Sequence, residues 1–247
     1  MEIKVSIVTA TYNSIKYIGE TYASILNQSY SNWEWLVTDD CSLDGTYEWL
    51  LEKSKEDSRI VIFRNKENLG AGASRNVSIG NSTGRYIAFL DSDDLWLPSK
   101  LEKQIKFMLN NNIDFCFTYY QKFSGELDGA EVYSPLKVSY DELLKRNSIG
   151  CLTVVYDTNE IGKVYMPTIR KRQDFALWLK ILKKVDFAVC IPEVLAKYRV
   201  DSGMTQNKFK LLSYQWSLYR DVLKLPKLKS ISLLIHHISQ GYIKYIK

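Results

Sequence analysis

Cysteine is scarce. Cys41, Cys116, Cys151 and Cys190 are widely scattered with no paired spacing. That argues against a disulfide framework or a zinc site and fits reduced thiols of a cytoplasmic protein. Histidine is scarcer: His236 and His237 are adjacent in an apolar, basic helix, and neighbouring helical positions point in different directions, so they make a poor metal pair. No apolar stretch approaches the ~20 residues needed to span a bilayer. Met1-Glu2-Ile3-Lys4 runs at once into a strand, so no secretory signal is expected. The Gly-rich loop Asn68–Ala73 has no Gly-Lys-Ser/Thr after it, and no Gly-x-Gly-x-x-Gly follows the first strand. P-loop NTPase and NAD dehydrogenase readings lose weight accordingly.

What is present is ordinary for a globular protein in bulk and uneven in its charge. The 247 residues are 46% hydrophobic and 25% charged, enough for one large domain, or one with a modest appendage. From Lys197 onward there are ten Lys/Arg and two Asp, a balance of +8, against a net +5 for the whole chain. The first 196 residues therefore carry −3, and the basic part is the C-terminal end.

Strand and helix patterns alternate. Lys4–Thr9, Trp33–Val37, Ile60–Phe63 and Arg85–Leu90 read as buried strands. Helical patterns lie between them over Ile15–Gln28, from Thr46 to about Ser54, and over Ser74–Ile79. This predicts an open, mostly parallel α/β sheet. Further on, a helix is expected from about Lys100 to Asn110 and strands over Asp114–Tyr120 and Cys151–Tyr156. Short strands are expected over Val185–Ile191 and Val194–Arg199, with residues 121–150 looser and helix from Phe209 onward.

In such sheets ligands bind beyond the carboxyl ends of the strands. Three successive ends here are polar: Thr11-Tyr12-Asn13, Asp39-Asp40 and Asp91-Ser92-Asp93-Asp94. Crowded carboxylates repel one another unless a cation or donors receive them. A hard divalent ion on a substrate diphosphate would do so; a plain acidic turn in which Asp94 or Ser92 caps the next helix is the competing reading. Asp174 opens a helical run after Arg170-Lys171-Arg172. It reads either as a carboxylate favoured at a helix start or as a base for an acceptor hydroxyl. Arg75 suits a phosphate or base contact, or is a surface arginine. The stretch Leu225–Lys247 pairs Lys227, Lys229, Lys244 and Lys247 with apolar Ile231, Leu234, Ile235, Ile238, Tyr242 and Ile246. That fits an amphipathic helix on an anionic membrane surface or one docked on the sheet or a second subunit.

These stretches resemble glycosyltransferase family 2, the inverting, GT-A type of nucleotide-sugar enzyme, over roughly residues 3–205. Val5–Asn13 is similar to the family's opening strand and Pro-Thr-Tyr-Asn turn, with Ala10 in place of Pro. Val37–Thr46 resembles its Val-Asp-Asp-Gly-Ser-Thr-Asp-Gly-Thr segment, with Cys41 replacing Gly. Asn68–Asn76 resembles its Asn-x-Gly…Ala-Arg-Asn loop, and Leu90–Asp94 its Asp-x-Asp metal motif. Gln173 through Trp178 resembles its Glu-Asp-x-x-x-Trp motif, with Gln173 replacing Glu. Many relatives carry a His after Tyr-Arg; Tyr198-Arg199-Val200-Asp201-Ser202 has none.

The resemblance implies a GT-A fold: a Rossmann-like, mostly parallel nucleotide-binding sheet with a smaller acceptor-binding part and C-terminal helices. Residues 1–97 would form the nucleotide-sugar half, 98–205 the acceptor half, and 206–247 a basic helical region. It implies that Thr11, Tyr12, Asp40, Arg75 and Asp91 face the nucleotide. Asp93 would ligate Mn²⁺ or Mg²⁺, and Asp174 would be the catalytic base. The implied reaction moves a hexose from a UDP-sugar donor to a lipid-diphosphate-linked saccharide acceptor in bacterial surface polysaccharide synthesis. The implied place is cytoplasmic, peripheral on the inner face of the membrane. An oligomer is compatible with this, and no nucleic-acid partner is expected. Two alternatives stand beside it: a non-catalytic nucleotide-sugar-binding protein, and a sugar nucleotidyltransferase, for which a Gly-rich phosphate loop after the first strand would be expected.

Overall fold

A computed structural model describes residues 3–201 and 208–246. The first half alternates as its hydrophobic periods predict: β1 (Val5–Thr11), α1 (Ile18–Leu26), β2 (Trp33–Asp39), α2 (Thr46–Glu56), β3 (Ile60–Arg64), α3 (Ala71–Asn81) and β4 (Tyr86–Phe89). Every residue of β2 is buried, as expected of a parallel strand covered by helices on both faces. Alternate residues of one strand feed two separate cores. Ile7 packs with Trp35 and Leu101 on one face, and Val8 with Phe89 and Trp178 on the other. Trp178 is fully buried, edge-on to Phe89 at 5.2 Å.

The second half contains β5 (Leu95–Trp96), α4 (Lys100–Asn111), β6 (Phe115–Ser124), β7 (Leu127–Val132), β8 (Lys137–Val138) and α5 (Tyr140–Lys145). These are followed by β9 (Val155–Asp157), α6 (Thr158–Ile161), α7 (Gln173–Ile181), β10 (Ala188–Arg199), α8 (Lys208–Ser217) and α9 (Lys227–Ile246). The sheet order is β3-β2-β1-β4-β9-β6-β10-β5, with β7 on β6 and β8 on β10. β1 to β4 are parallel, β9 runs antiparallel to both β4 and β6, and β6 pairs parallel with β10. The result is the mixed, mostly parallel α/β sheet that the alternation predicts in its first half.

Three local expectations change. Cys151–Thr153 is a single 3₁₀ turn and not strand, because Thr153 folds back to donate both its N–H and its hydroxyl to the Gly150 carbonyl. The two short strands expected around Pro192 are one strand, β10. Its pairing with β6 shifts between Ile191 and Val194, where proline has no N–H to donate. Residues 121–132 are not loose: β6 continues to Ser124 and returns as β7 around Gly125, at φ +58°.

The C-terminal helices cover one face of the sheet. The Tyr219 hydroxyl donates to the Leu144 carbonyl at 3.0 Å, and Leu233 of α9 is buried in the core beside α5 and α7. Leu228, Ile231, Ile235 and Ile238 lie along α9 at helical spacing and are exposed. The side chains of Tyr242, Lys244 and Ile246, together with Lys247, Ser202 and the boundary at 205/206, lie outside what is described. Among the described residues no helix is long and apolar enough to cross a membrane.

Candidate active site

The chain runs outward from β1 to β3 and then crosses back to β4, on the other side of β1. The winding therefore reverses between β1 and β4, the place where open α/β sheets leave a crevice for ligands. A cavity of about 1580 Å³ opens there, lined among others by Tyr12, Asp40, Arg75, Asp91, Asp93 and Asp174. Six of the seven residues singled out in the sequence share this one cavity. Thr11 does not line it: it is buried at the end of β1, its hydroxyl without a partner.

The loops at the strand ends are fixed by side chains that the motifs contain. Asn13, at φ +50°, accepts the Leu43 N–H, and Ser42 accepts the Asn13 N–H. Asp44 accepts from the Ile15 and Thr46 N–H groups. The Asp39 carboxylate accepts the Ser42 N–H at 3.0 Å. Cys41 lies at φ +67°, a left-handed conformation natural to glycine and uncommon for a residue with a Cβ.

Asp40 is buried, and its carboxylate accepts from Asn65 Nδ2 (2.7 Å), Leu69 N–H (2.9 Å) and Gly70 N–H (2.7 Å). Two carboxylate oxygens offer about four acceptor positions. Most of its capacity therefore holds the Gly-rich loop at the mouth of α3, and one position is left toward the cavity.

The acidic turn is held by its neighbours. Buried Arg75 donates through Nη2 to the half-buried Asp91 carboxylate. Burial works against the Arg75 charge, but the opposing pull of Asp91 prevails and its pKa is raised. Ser92 shares a hydrogen bond with Ser14 at 2.8 Å. Asp94 is 1% exposed; one oxygen accepts the Arg199 N–H at 2.8 Å and the other has no partner. Burial, with Asp91 and Asp93 close by, pushes the Asp94 carboxyl well above the usual carboxylate range. The next helix is capped by neither residue, since α4 begins at Lys100 after Ser99. The capping explanation of this turn is therefore set aside.

Asp174 stands in the first turn of α7, behind Arg172 at φ +67°. Burial raises its pKa, while the Phe175 N–H and Arg75 pull the other way. The loop leading to it is fastened to α3. Asn76 donates to the Met166 carbonyl and accepts the Met166 N–H, both at 2.8 Å. Arg170 reaches across to Asn68, donating to its side-chain oxygen at 2.6 Å. The start of α3 and the half-buried Asp174 carboxylate thus line one polar pocket, suited to holding a diphosphate near a hydroxyl that must lose a proton.

The profile of glycosyl transferase family 2 matches residues 6–161. The chain belongs to glycosyltransferase family 2. It is 42% identical, over 97% of this chain and 96% of the relative, to TuaG of Bacillus subtilis (strain 168), a protein assigned as a teichuronic acid biosynthesis glycosyltransferase. It is 40% identical, over 98% of this chain and 94% of the relative, to the UDP-Glc:alpha-D-GlcNAc-diphosphoundecaprenol beta-1,3-glucosyltransferase WfgD of Escherichia coli. Among solved structures, S. aureus TarS 1-349 in complex with UDP-GlcNAc superposes with a TM-score of 0.73 at 20% identity, covering 96% of this chain and 72% of that one. The mannosyltransferase PcManGT of Pyrobaculum calidifontis, in complex with GDP-Man and Mn²⁺, gives 0.62 at 16% identity, covering 98% and 65%. These two likenesses carry the GT-A fold.

Within this family 2 site, no cluster of three or more His, Cys, Asp or Glu that could hold a metal occurs among the described residues. The donor set fits a shared ion and not a closed cage. Hard cations that serve diphosphates take one or two carboxylates and leave the remaining positions to phosphate and water. Here Asp93 faces the cavity beside Asp91, and a buried Asp94 oxygen has no partner.

Two residues that sequence reading passed over bear on this family 2 site, Arg199 from behind the acidic turn and Cys151 from the cavity wall. Arg199 donates to the Asp93 carbonyl (2.8 Å) and to Glu20 (2.6 Å) and lies between the rings of Tyr17 and Phe123. It clamps the acidic turn to α1 and β6 in the very stretch noted for lacking histidine. Cys151 lines the cavity, and burial lifts its thiol pKa well above normal. Its scatter from the other cysteines concealed that place. His236 also lines the cavity.

Proposed function

We propose that this glycosyltransferase moves a hexose from a UDP-sugar to a hydroxyl of a lipid-diphosphate-linked saccharide, with inversion, in the building of a bacterial surface polysaccharide. The observation that carries the reading is the presence of Asp174 in the same cavity as Tyr12, Asp40 and Asp91. The substrate class is supported by WfgD, whose name gives UDP-Glc as donor and a GlcNAc-diphosphoundecaprenol acceptor.

In this reading Tyr12 and Asp40 receive the nucleobase, and Asp91 lies toward the ribose. Asp174 accepts the proton of the acceptor hydroxyl. The oxygen attacks the anomeric carbon from the face opposite the diphosphate, the bond from that carbon to the phosphate oxygen breaks, and UDP leaves with the electron pair. A single displacement turns an α-linked donor into a β-linked product. A Mn²⁺ or Mg²⁺ held by Asp93 would offset negative charge on the leaving diphosphate. The exposed apolar stripe of α9, with Lys224, Lys227 and Lys229 nearby, suits the anionic inner surface of the cell membrane, where such an acceptor is embedded.

The test is incubation with a panel of UDP-hexoses, Mn²⁺ and a prenyl-diphosphate-linked GlcNAc, following UDP release and the glycosylated lipid. Transfer from one donor is expected. Bound UDP without transfer from any donor would point to a binding protein, and pyrophosphate release from UTP with a sugar phosphate to a nucleotidyltransferase.

A further inference from the structure

Beyond the residues assigned to the donor, the cavity has a basic wall. Lys145 and Arg146, at the end of α5, and Arg172, two residues before Asp174, all line it. Among the described residues none of the three makes a salt bridge, although the charges of Arg172 and Lys145 act on Asp174 and Glu142. Glu142, the acid on this wall, is already engaged by the Ser139 N–H and hydroxyl in a capping box.

These cations are gathered by the fold. Arg172 is held at φ +67°, ψ +15° at the mouth of α7, a conformation that a residue with a Cβ keeps only where its surroundings impose it. Its charge acts on both Asp174 and Tyr219. Tyr219 in turn donates to the carbonyl of Leu144, the residue before Lys145. Arg172, Lys145 and Arg146 thus line the cavity that Asp174 lines, with Tyr219 bonded at the base of the α5 end. Helix α9 packs on α5. His236 of α9 lines the cavity while its neighbours Ile235 and Ile238 lie exposed.

We propose that Arg172, Lys145 and Arg146 form a second diphosphate subsite, separate from the one that takes the nucleotide, and that it holds the diphosphate of a lipid-linked acceptor. The inference rests on the proposed reaction for its choice of ligand. Guanidinium and ammonium groups are the side chains that receive phosphate oxygens. A sugar joined to a diphosphate held here reaches Asp174, and a prenyl chain leaving the diphosphate runs toward the apolar stripe of α9. In the proposed reaction the nucleotide's own diphosphate is served from the Asp93 side of the cavity, which leaves these residues for a second one.

Calorimetric binding of farnesyl diphosphate to the full chain saturated with UDP tests this, with inorganic pyrophosphate and farnesol as controls. Farnesyl diphosphate is expected to bind, pyrophosphate to compete with it, and farnesol to bind far more weakly. Arg172→Gln and the double variant Lys145→Ala/Arg146→Ala, shown to be folded by circular dichroism, should each weaken farnesyl diphosphate binding about tenfold or more and leave the UDP dissociation constant within twofold. Retained affinity in the folded variants, or farnesol binding as tightly as its diphosphate, overturns the subsite. A parallel loss of UDP affinity assigns these residues to the donor instead. The readout needs no turnover, so a failure of the transferase reading would show in the glycosylation assay and not here.

Discussion

Gly72 lies directly against the carbonyl of Pro167. A Cβ at this position of α3 would stand 2.9 Å from that oxygen and 3.2 Å from Gln173 Cβ. Both neighbours belong to the segment that carries Asp174. Gly72→Ala is therefore expected to push Asp174, the proposed base, away from α3. A displacement of about 1 Å lowers kcat by about 100-fold, whereas UDP affinity, which the proposed function assigns to Tyr12, Asp40 and Asp91, stays within about threefold. Unchanged kcat in a folded Gly72→Ala protein would show that the segment yields without moving Asp174.

Asp174→Asn keeps the shape of the carboxylate and removes its basicity. Transfer should fall by about 10²–10⁴, the range of general-base contributions, with UDP binding nearly unchanged. In the parent enzyme the base must be ionised to act, and burial raises its pKa above the ordinary aspartate value. The acid limb of kcat/KM for the acceptor therefore lies at higher pH than for a solvated aspartate, and the rate falls as pH drops through it. A large loss of UDP affinity in the variant would remove Asp174 from the base role.

The burden of Asp94 can be read from stability. Its carboxyl is raised in the folded chain relative to the unfolded one. It therefore favours folding fully only below the unfolded value, and that contribution is lost as pH rises through the raised one. Asp94→Asn keeps the acceptor for the Arg199 N–H and carries no charge. It should melt higher than the parent at pH 8, by about 2–4 °C for each kcal/mol relieved, and the gap should close toward pH 4. A variant less stable than the parent at pH 8 in metal-free buffer contradicts this.

Deleting α9 is a poor test of membrane binding, because buried Ser230 and Leu233 would go with it. Ile235→Glu alters a side chain that is 62% exposed and should leave folding intact. It should weaken binding to phosphatidylglycerol vesicles about tenfold or more, as a desolvated apolar contact is lost and an acidic group faces an anionic surface. Equal sedimentation of both proteins with vesicles would take the stripe out of that role.

The sheet and the strand-end side of the pocket were legible in the sequence because their signals are local. Buried strands such as Trp33–Val37 announce themselves by composition, and Tyr12, Asp40 and Asp91 stand at the ends of such strands. The braces that hold those strand ends were not legible, because they are long-range contacts. Arg199 meets the acidic turn from 106 residues away, and Arg170 meets Asn68 from 102. The turn at Cys151 hides in a run of strand-forming residues because its cause is a bond back to Gly150. The exposed stripe of α9 was visible as a period, but which of its faces Leu233 would bury depends on α5 and α7.

The cavity's two walls come from separate stretches of chain. Every hydrogen bond described here for the carboxylates of Asp40, Asp91 and Asp94 is made by residues 65–75 or by Arg199. The opposite wall is drawn largely from residues 132–152 and the C-terminal helices. Exchange of side chains along that second wall leaves the grip on the first untouched. The second wall can thus be re-tailored piece by piece while Asp40, Asp91 and Asp94 keep every one of those bonds.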